Sequence, residues 1–284
     1  MILACFDLET TGTDHATAEV VQAACVLGDE SHKALFRSDR PIPSEATAVH
    51  GITDAMVAES PRFADCAESL AEGLASADVL LTFNGLAYDV PILERYLGRP
   101  LAHPCHVDVY RLWRRVQAQG AVNYDPRASG FPADLLRGSL GAAYYWCKDA
   151  QLSGAHDALV DVQATITVAL ELIPFLLLGY PSTLSGWRPL EGPPSVLAAW
   201  SALACLSQSP LPGFADLDGK LRWNGRDLAF TFGKHAGVSL RTVCDIDASY
   251  LRWTLGADFP DDFKQIVKAA RRGIHPNPPA SETT

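Results

Sequence analysis

The segment Ile2-Leu3-Ala4-Cys5-Phe6 is wholly apolar and runs without a turn into Asp7-Leu8-Glu9. An apolar run this short, with no polar alternation, fits a strand covered on both faces. Such a strand needs a layer on each side, so the chain around it has to build an α/β arrangement. Residues two apart on a strand project to one face, and Asp7 and Glu9 therefore set two carboxylates side by side where the buried run ends. Paired carboxylates repel one another unless a cation sits between them, and hard oxygen ligands favour Mg²⁺ or Mn²⁺.

The rest of the large module alternates in kind. Glu19–Leu27 and Lys33–Arg37 read as neighbouring strands joined by the turn-prone Gly28-Asp29-Glu30-Ser31. Phe63, Ala67, Leu70 and Leu74 recur at helical spacing, and Val79–Phe83 reads as a second buried strand. Helices are expected over Pro91–Leu97, Val109–Gln117, Ala133–Trp146, and from Leu159 toward Ile173. A mixed α/β domain over 1–180 follows. The stretch 181–219 reads as a linker that includes a helix over Ser195–Ser207. A small α+β module is expected over 220–275. Its hairpin is centred on Asn224-Gly225, and helices over Ala248–Leu255 and Asp261–Arg271 follow. The proline-rich tail, 276–284, is expected to fray.

Two further acids stand where chemistry is usually sited. Asp89, in Asn84-Gly85-Leu86-Ala87-Tyr88-Asp89, follows the second buried strand, and open α/β sheets hold their ligands just beyond strand carboxyl ends. His156 and Asp161 are five residues apart, roughly 140° around a helix, and so cannot share a face within one. A helix starting at Asp157 as its cap resolves this, leaving His156 on the loop before it and Asp161 inside the helix.

Charge separates the modules. Residues 1–219 hold 13 basic and 26 acidic side chains, whereas 220–275 hold 10 basic and 6 acidic, so a basic end suited to phosphates sits on an acidic body. The seven cysteines are scattered with no Cys-x-x-Cys pair, which argues against a disulfide framework or a zinc site. No basic-then-apolar leader is present and no apolar stretch is long enough to span a bilayer, so a cytoplasmic protein with no membrane partner is expected.

The ordered set Asp7-x-Glu9 with Thr10-Thr11-Gly12, then Asp89, then His156-x4-Asp161, resembles the DEDDh branch of the DnaQ-like 3′–5′ exonucleases. Val49-His50-Gly51-Ile52-Thr53 resembles a segment lining the substrate cleft in that family. Departures are Phe83 before Asn84, where many members have His, and a five-residue step from Asn84 to Asp89. The resemblance implies an RNase H-like mixed five-stranded sheet flanked by helices. It implies Asp7, Glu9, Asp89 and Asp161 as ligands of two Mg²⁺ or Mn²⁺ ions, with His156 as the general base. It also implies that Leu8, Thr10 and Thr11 face the terminal nucleotide through their backbone, with His50 and Asn84 beside the substrate. The implied activity is release of nucleoside 5′-monophosphates from DNA 3′ ends, with single-stranded ends as the expected substrate. The alternatives are an exoribonuclease of the RNase T or oligoribonuclease kind, and a catalytically silent nucleic-acid-binding or polymerase-associated subunit.

Phe230-Thr231-Phe232-Gly233-Lys234-His235-Ala236-Gly237 with Ser249-Tyr250-Leu251-Arg252-Trp253 resembles the C-terminal module of exodeoxyribonuclease X-type enzymes. Glycines around Lys234 and His235 suggest a tight turn offering a cation and N–H groups to phosphate. Trp223, Tyr250 and Trp253 are candidates for stacking on bases. Gln208, Leu211 and Phe214 have the spacing of a sliding-clamp peptide.

Overall fold

The computed structural model describes residues 1–118, 139–177, 196–211, 213–257 and 259–278. They fall into two compact units, the first holding 1–118, 139–177 and 196–207 and the second the described residues from 208 onward.

In the first unit, strands β1 (Leu3–Thr10), β2 (Val20–Leu27) and β3 (Glu30–Leu35) form an antiparallel meander. Strands β4 (Val79–Thr82) and β5 (His106–Asp108) add in parallel on the other side of β1, so the mixed sheet has the order β3-β2-β1-β4-β5. Helices α1 (Ser44–His50), α2 (Asp54–Val57) and α3 (Ala67–Ala75) lie between β3 and β4, and α4 (Asp89–Leu97) connects β4 to β5. Helices α5 (Val109–Ala118), α6 (Leu140–Lys148), α7 (Ala158–Leu177) and α8 (Val196–Ser207) follow.

Strand β1 explains the layers. Ala4, Phe6 and Leu8 point into one core, with Leu74 of α3 and Ile92 and Leu93 of α4. Cys5 points into the other, with Leu112 and Trp113 of α5 and Val162 and Leu172 of α7. This is period-2 alternation with both faces apolar, the reason the run shows no polar positions.

The strand is longer than its apolar run, so Asp7 and Glu9 lie within it. It also outruns its parallel neighbour. Cys5 pairs with Leu81 and β4 ends at Thr82, leaving Asp7–Thr10 without a parallel partner. The β2–β3 turn is tighter than expected, with β3 starting at Glu30. The sequence reading missed β5, only three residues long, and α1. Of the helix expected over Ala133–Trp146, α6 supplies Leu140 onward, and 133–138 lie outside the described residues.

The helix expected within the linker instead belongs to the first unit. Trp200, Leu203 and Ala204 of α8 are buried with Val107, Leu112 and Val116, and Ser207 Oγ accepts from the Asp108 N–H at 3.2 Å. The remainder of the expected linker up to 195 lies outside the described residues.

In the second unit, β6 (Leu221–Asn224) and β7 (Asp227–Phe230) form the hairpin, followed by α9 (Leu240–Ile246), α10 (Ala248–Gly256) and α11 (Asp261–Ala270). Helix α9 was not expected; Ser239 caps it, its side chain accepting from the Thr242 N–H. Leu221, Phe230, Leu240, Leu251, Phe263 and Val267 form this unit's own core. Leu211 is buried, while Phe214 packs beside Gly219 with the Arg222 guanidinium 5.8 Å from its ring. Of the clamp-like segment's apolar anchors, Leu211 is therefore out of solvent and Phe214 is engaged within the unit. Of the tail, 279–284 lie outside the described residues. Among the described residues no helix is long and apolar enough to cross a membrane.

Candidate active site

Parallel neighbours end at the same edge of a sheet, so β1 and β4 deliver their following residues to one place. Asp7 and Glu9 continue the face of β1 that carries Cys5, the face covered by α7. Cys5 Sγ lies 3.8 Å from the Val162 carbonyl, which places Asp161, one residue earlier on α7, over the two strand acids.

The start of α7 is fixed by its polar neighbours. Asp157 Oδ1 accepts from the Leu159 N–H at 3.1 Å, and its Oδ2 pairs with Lys33 at 2.8 Å. Gln22 Oε1 accepts from the Ala158 N–H at 2.8 Å. These satisfy N–H groups that the first helical turn leaves open. His156 stays on the preceding loop at φ 66°, exposed, and its N–H donates to Asp161 Oδ2 at 3.0 Å. Ligand atoms of Glu9, His156 and Asp161 all lie within 4.8 Å of one another.

Asp89 arrives from the other side as the first residue of α4. It is 5% exposed, and its Oδ1 accepts from the Leu8 N–H at 3.1 Å, tying it to the strand segment between Asp7 and Glu9. The loop before it is held by Asp108, which the sequence reading did not single out. Asp108 Oδ1 accepts from the Asn84 N–H at 3.0 Å, and its Oδ2 from the Leu86 N–H at 3.2 Å. Asn84 itself sits at φ 62°. Gly85 is required there, because a Cβ would stand 2.4 Å from Thr82 Cβ.

The electrostatics are one-sided. Burial, then the charges of Asp89, Asp161 and Glu9, push the Asp7 carboxyl well above its ordinary value. Burial and the charges of Asp161 and Asp89 push Glu9 up to about 8. Burial pushes Asp89 up to about 7, against the Leu8 N–H. Burial also raises Asp161, against the N–H and ring of His156. Among the described residues no Lys or Arg pairs with any of these four acids, and Asp161 Oδ1 is buried without a hydrogen-bond partner. Four crowded oxygen donors, one of them orphaned, fit a divalent cation.

The remaining candidates are distributed around this centre. Leu8 turns its side chain into the core, leaving only its backbone at the site. Thr10 Oγ1 meets Tyr88 Oη at 2.5 Å and donates to the Gly12 carbonyl at 2.8 Å, while Thr11 Oγ1 accepts from the Glu19 N–H at 2.9 Å. His50 Nδ1 accepts from the Ile52 N–H at 3.0 Å, and its buried Nε2 forms no hydrogen bond. Burial lowers the His50 pKa, the Thr10 backbone opposing and His156 adding to it, so the ring lies near both. A cleft of ≈430 Å³ beside the strand end is lined by Thr11, Gly12, Asp14 and Arg40. A larger groove, lined by Ala23, Cys25, Phe63 and Leu70, contains none of the four acids.

Lys234 and His235 are in the second unit. Both reach Asp247 Oδ2, at 2.7 and 2.9 Å, so the tip's cation is already partnered.

The sheet order and the acids gathered at the end of its central strand define an RNase H-like domain with a cation-ready centre. The RNase T exonuclease family profile matches residues 4–169, and the chain belongs to this family of exonucleases, in its DEDDh, DnaQ-like branch. It is 32% identical over 182 residues to the DNA polymerase III subunit epsilon-like protein of Rhodobacter capsulatus, covering 60% of this chain and 23% of that protein. Over 61 residues it is 43% identical to the exonuclease CP81 of Escherichia phage 186, covering 21% of this chain and 31% of that protein. The chain thus spans less than a third of the length of these two relatives. With exodeoxyribonuclease 10 of Escherichia coli it shares 24% identity over 259 residues, 89% of this chain and 90% of that one. Its fold is similar to the zinc-bound E. coli exonuclease I complex with single-stranded DNA, with a TM-score of 0.50, 19% identity, and coverage of 63% of this chain and 41% of that one.

Proposed function

We propose that this chain hydrolyses DNA from 3′ ends, releasing nucleoside 5′-monophosphates one at a time, with two Mg²⁺ or Mn²⁺ ions held by Asp7, Glu9, Asp89 and Asp161. The observation that carries this reading is the convergence of those four acids without a basic partner among the described residues. Asp7, Glu9 and Asp161 would hold one cation, and Asp7 with Asp89 the other. When bound, the cations supply charge neutralisation at the attacking and departing oxygens.

The chain's own residues supply the rest. The attacking water places its oxygen on phosphorus, the bond from phosphorus to the 3′ oxygen breaks, His156 takes one of the water's protons, and the departing 3′ oxygen takes a proton from solvent to become a hydroxyl. An imidazole suits that task near neutral pH, and the exposed loop leaves the ring open to exchange the proton with solvent. The Asp161–His156 backbone hydrogen bond orients the loop that carries the ring. The alignment with exodeoxyribonuclease 10, which covers nearly all of both chains, supports DNA over RNA as substrate.

The test is a 5′-labelled oligonucleotide incubated with Mg²⁺, with and without EDTA. A ladder shortening from the 3′ end in the magnesium arm alone is expected. No shortening of any DNA or RNA would overturn the reading.

A further inference from the structure

We propose that the second unit carries a docking surface for a single-stranded polynucleotide, with an exposed indole, Trp253, whose two supporting rings also carry the ammonium groups of Lys220 and Lys234. This rests on the reading above that the chain acts on polynucleotides, but it concerns a separate surface.

Three aromatic residues of this unit are candidates for stacking, and the structure separates them. Tyr250 is 7% exposed and enclosed by Phe230 and His235, with ring centroids at 5.5 and 4.7 Å. A Cβ on Gly233 would stand 2.4 Å from the Tyr250 hydroxyl, so that ring has no room to move on this side. Trp223 is half-buried against the unit's core. Trp253 differs, being 52% exposed.

Its inner side is fixed by two rings, Tyr250 at 5.3 Å and tilted 39°, and Phe259 at 5.7 Å and edge-on at 84°. An indole exposed yet held by other rings presents a flat apolar surface at little further entropic cost, as base stacking requires.

Two cations lie over the rings that hold that indole. Phe259 continues to Phe232 at 5.0 Å, and Lys220 Nζ lies 5.8 and 6.0 Å from the Phe232 and Phe259 centroids. Lys234 Nζ lies 5.5 Å from the Tyr250 centroid. Lys234 shares its charge with Asp247, whereas Lys220 pairs with no carboxylate among the described residues. Lys220 is therefore the stronger attraction for phosphate. The excess of 10 basic over 6 acidic residues across 220–275 supplies a field of the matching sign. A base on Trp253 with phosphates toward the lysines uses both features at once, whereas an apolar peptide would use only the indole.

The experiment measures binding of fluorescein-labelled dT20 and rU20 to the full chain in EDTA, by anisotropy across a salt series. Binding of either strand, weakened about tenfold by Trp253→Ala and largely kept by Trp253→Tyr, is expected. Lys220→Ala should reduce the slope of log affinity against log salt by about 0.7. The two arms tell which backbone the surface prefers. Circular dichroism confirms that each variant is folded. Affinity for both strands within twofold of the unaltered protein in folded Trp253→Ala overturns the proposal, as does failure of the unaltered protein to bind either. Since binding is read without cleavage, an inactive protein that still shows these losses counts against the nuclease reading alone.

Discussion

At the scale of single residues the centre is a set of acids that destabilise one another until something positive joins them. Glu9, raised to about 8, and Asp89, raised to about 7, bind more protons folded than unfolded. The stability of the cation-free protein therefore falls as pH rises from the unfolded value of about 4 through those folded values. Melting temperature in EDTA should drop between pH 5 and pH 8, and Mg²⁺ should raise it more at pH 8 than at pH 5. A flat profile in EDTA would refute this account. Glu9→Gln removes one repelling charge, so at pH 8 the cation-free protein should melt about 2–4 °C higher while cleavage falls by about a thousandfold or more. His156→Ala should lower turnover by about 10²–10⁴ with the melting temperature little changed, since the side chain is exposed. Asp7, Glu9, Asp89, His156 and Asp161 stood out in the sequence as a set through the family pattern, and only the Asp7–Glu9 and His156–Asp161 spacings had a geometric reason of their own. Asp108 did not stand out, since its role depends on loop N–H groups 22 and 24 residues away that no local pattern reveals.

At the scale of elements, the overhang of β1 past β4 and the strap formed by Asp108 decide where Asp89 sits. Asp108→Ala leaves the Asn84 and Leu86 N–H groups without their acceptor. It should cost about 1–3 kcal/mol of stability in chemical denaturation and slow cleavage through a misplaced Asp89. Gly85→Ala should act in the same direction, because its Cβ and Thr82 cannot both keep their places. Long periodic elements such as α7 and the buried runs of β1 and β4 were readable from the sequence. Strand β5 was not, because three residues show no period and its burial comes from neighbours on both faces. Helix α9 was missed for a related reason: its seven residues bury only Leu240 and Val243, too few for a visible stripe.

At the scale of the molecule, α8 belongs to the first unit, and among the described residues the second begins at Gln208. Composition marked 181–219 as a connector, but composition does not register that Trp200, Leu203 and Ala204 are needed to cover β5 and α5. A fragment ending at 180 should expose that apolar face and aggregate, whereas a fragment ending at 207 should remain monomeric and melt cooperatively, as read by light scattering and calorimetry.

Asn84 and His156 hold left-handed backbone angles without being glycine, and each lies on a loop that carries a side chain of the proposed centre, His156 itself or Asp89. Anyone breeding a heat-tolerant form of this protein would find glycine attractive at both places, since it relieves the local conformational penalty. At position 156 the exchange would delete the imidazole itself, and at 84 it would loosen the lead-in to Asp89. The sturdier catalyst would then be the slower one, so selection for thermal endurance and selection for speed pull these two loops in opposite directions.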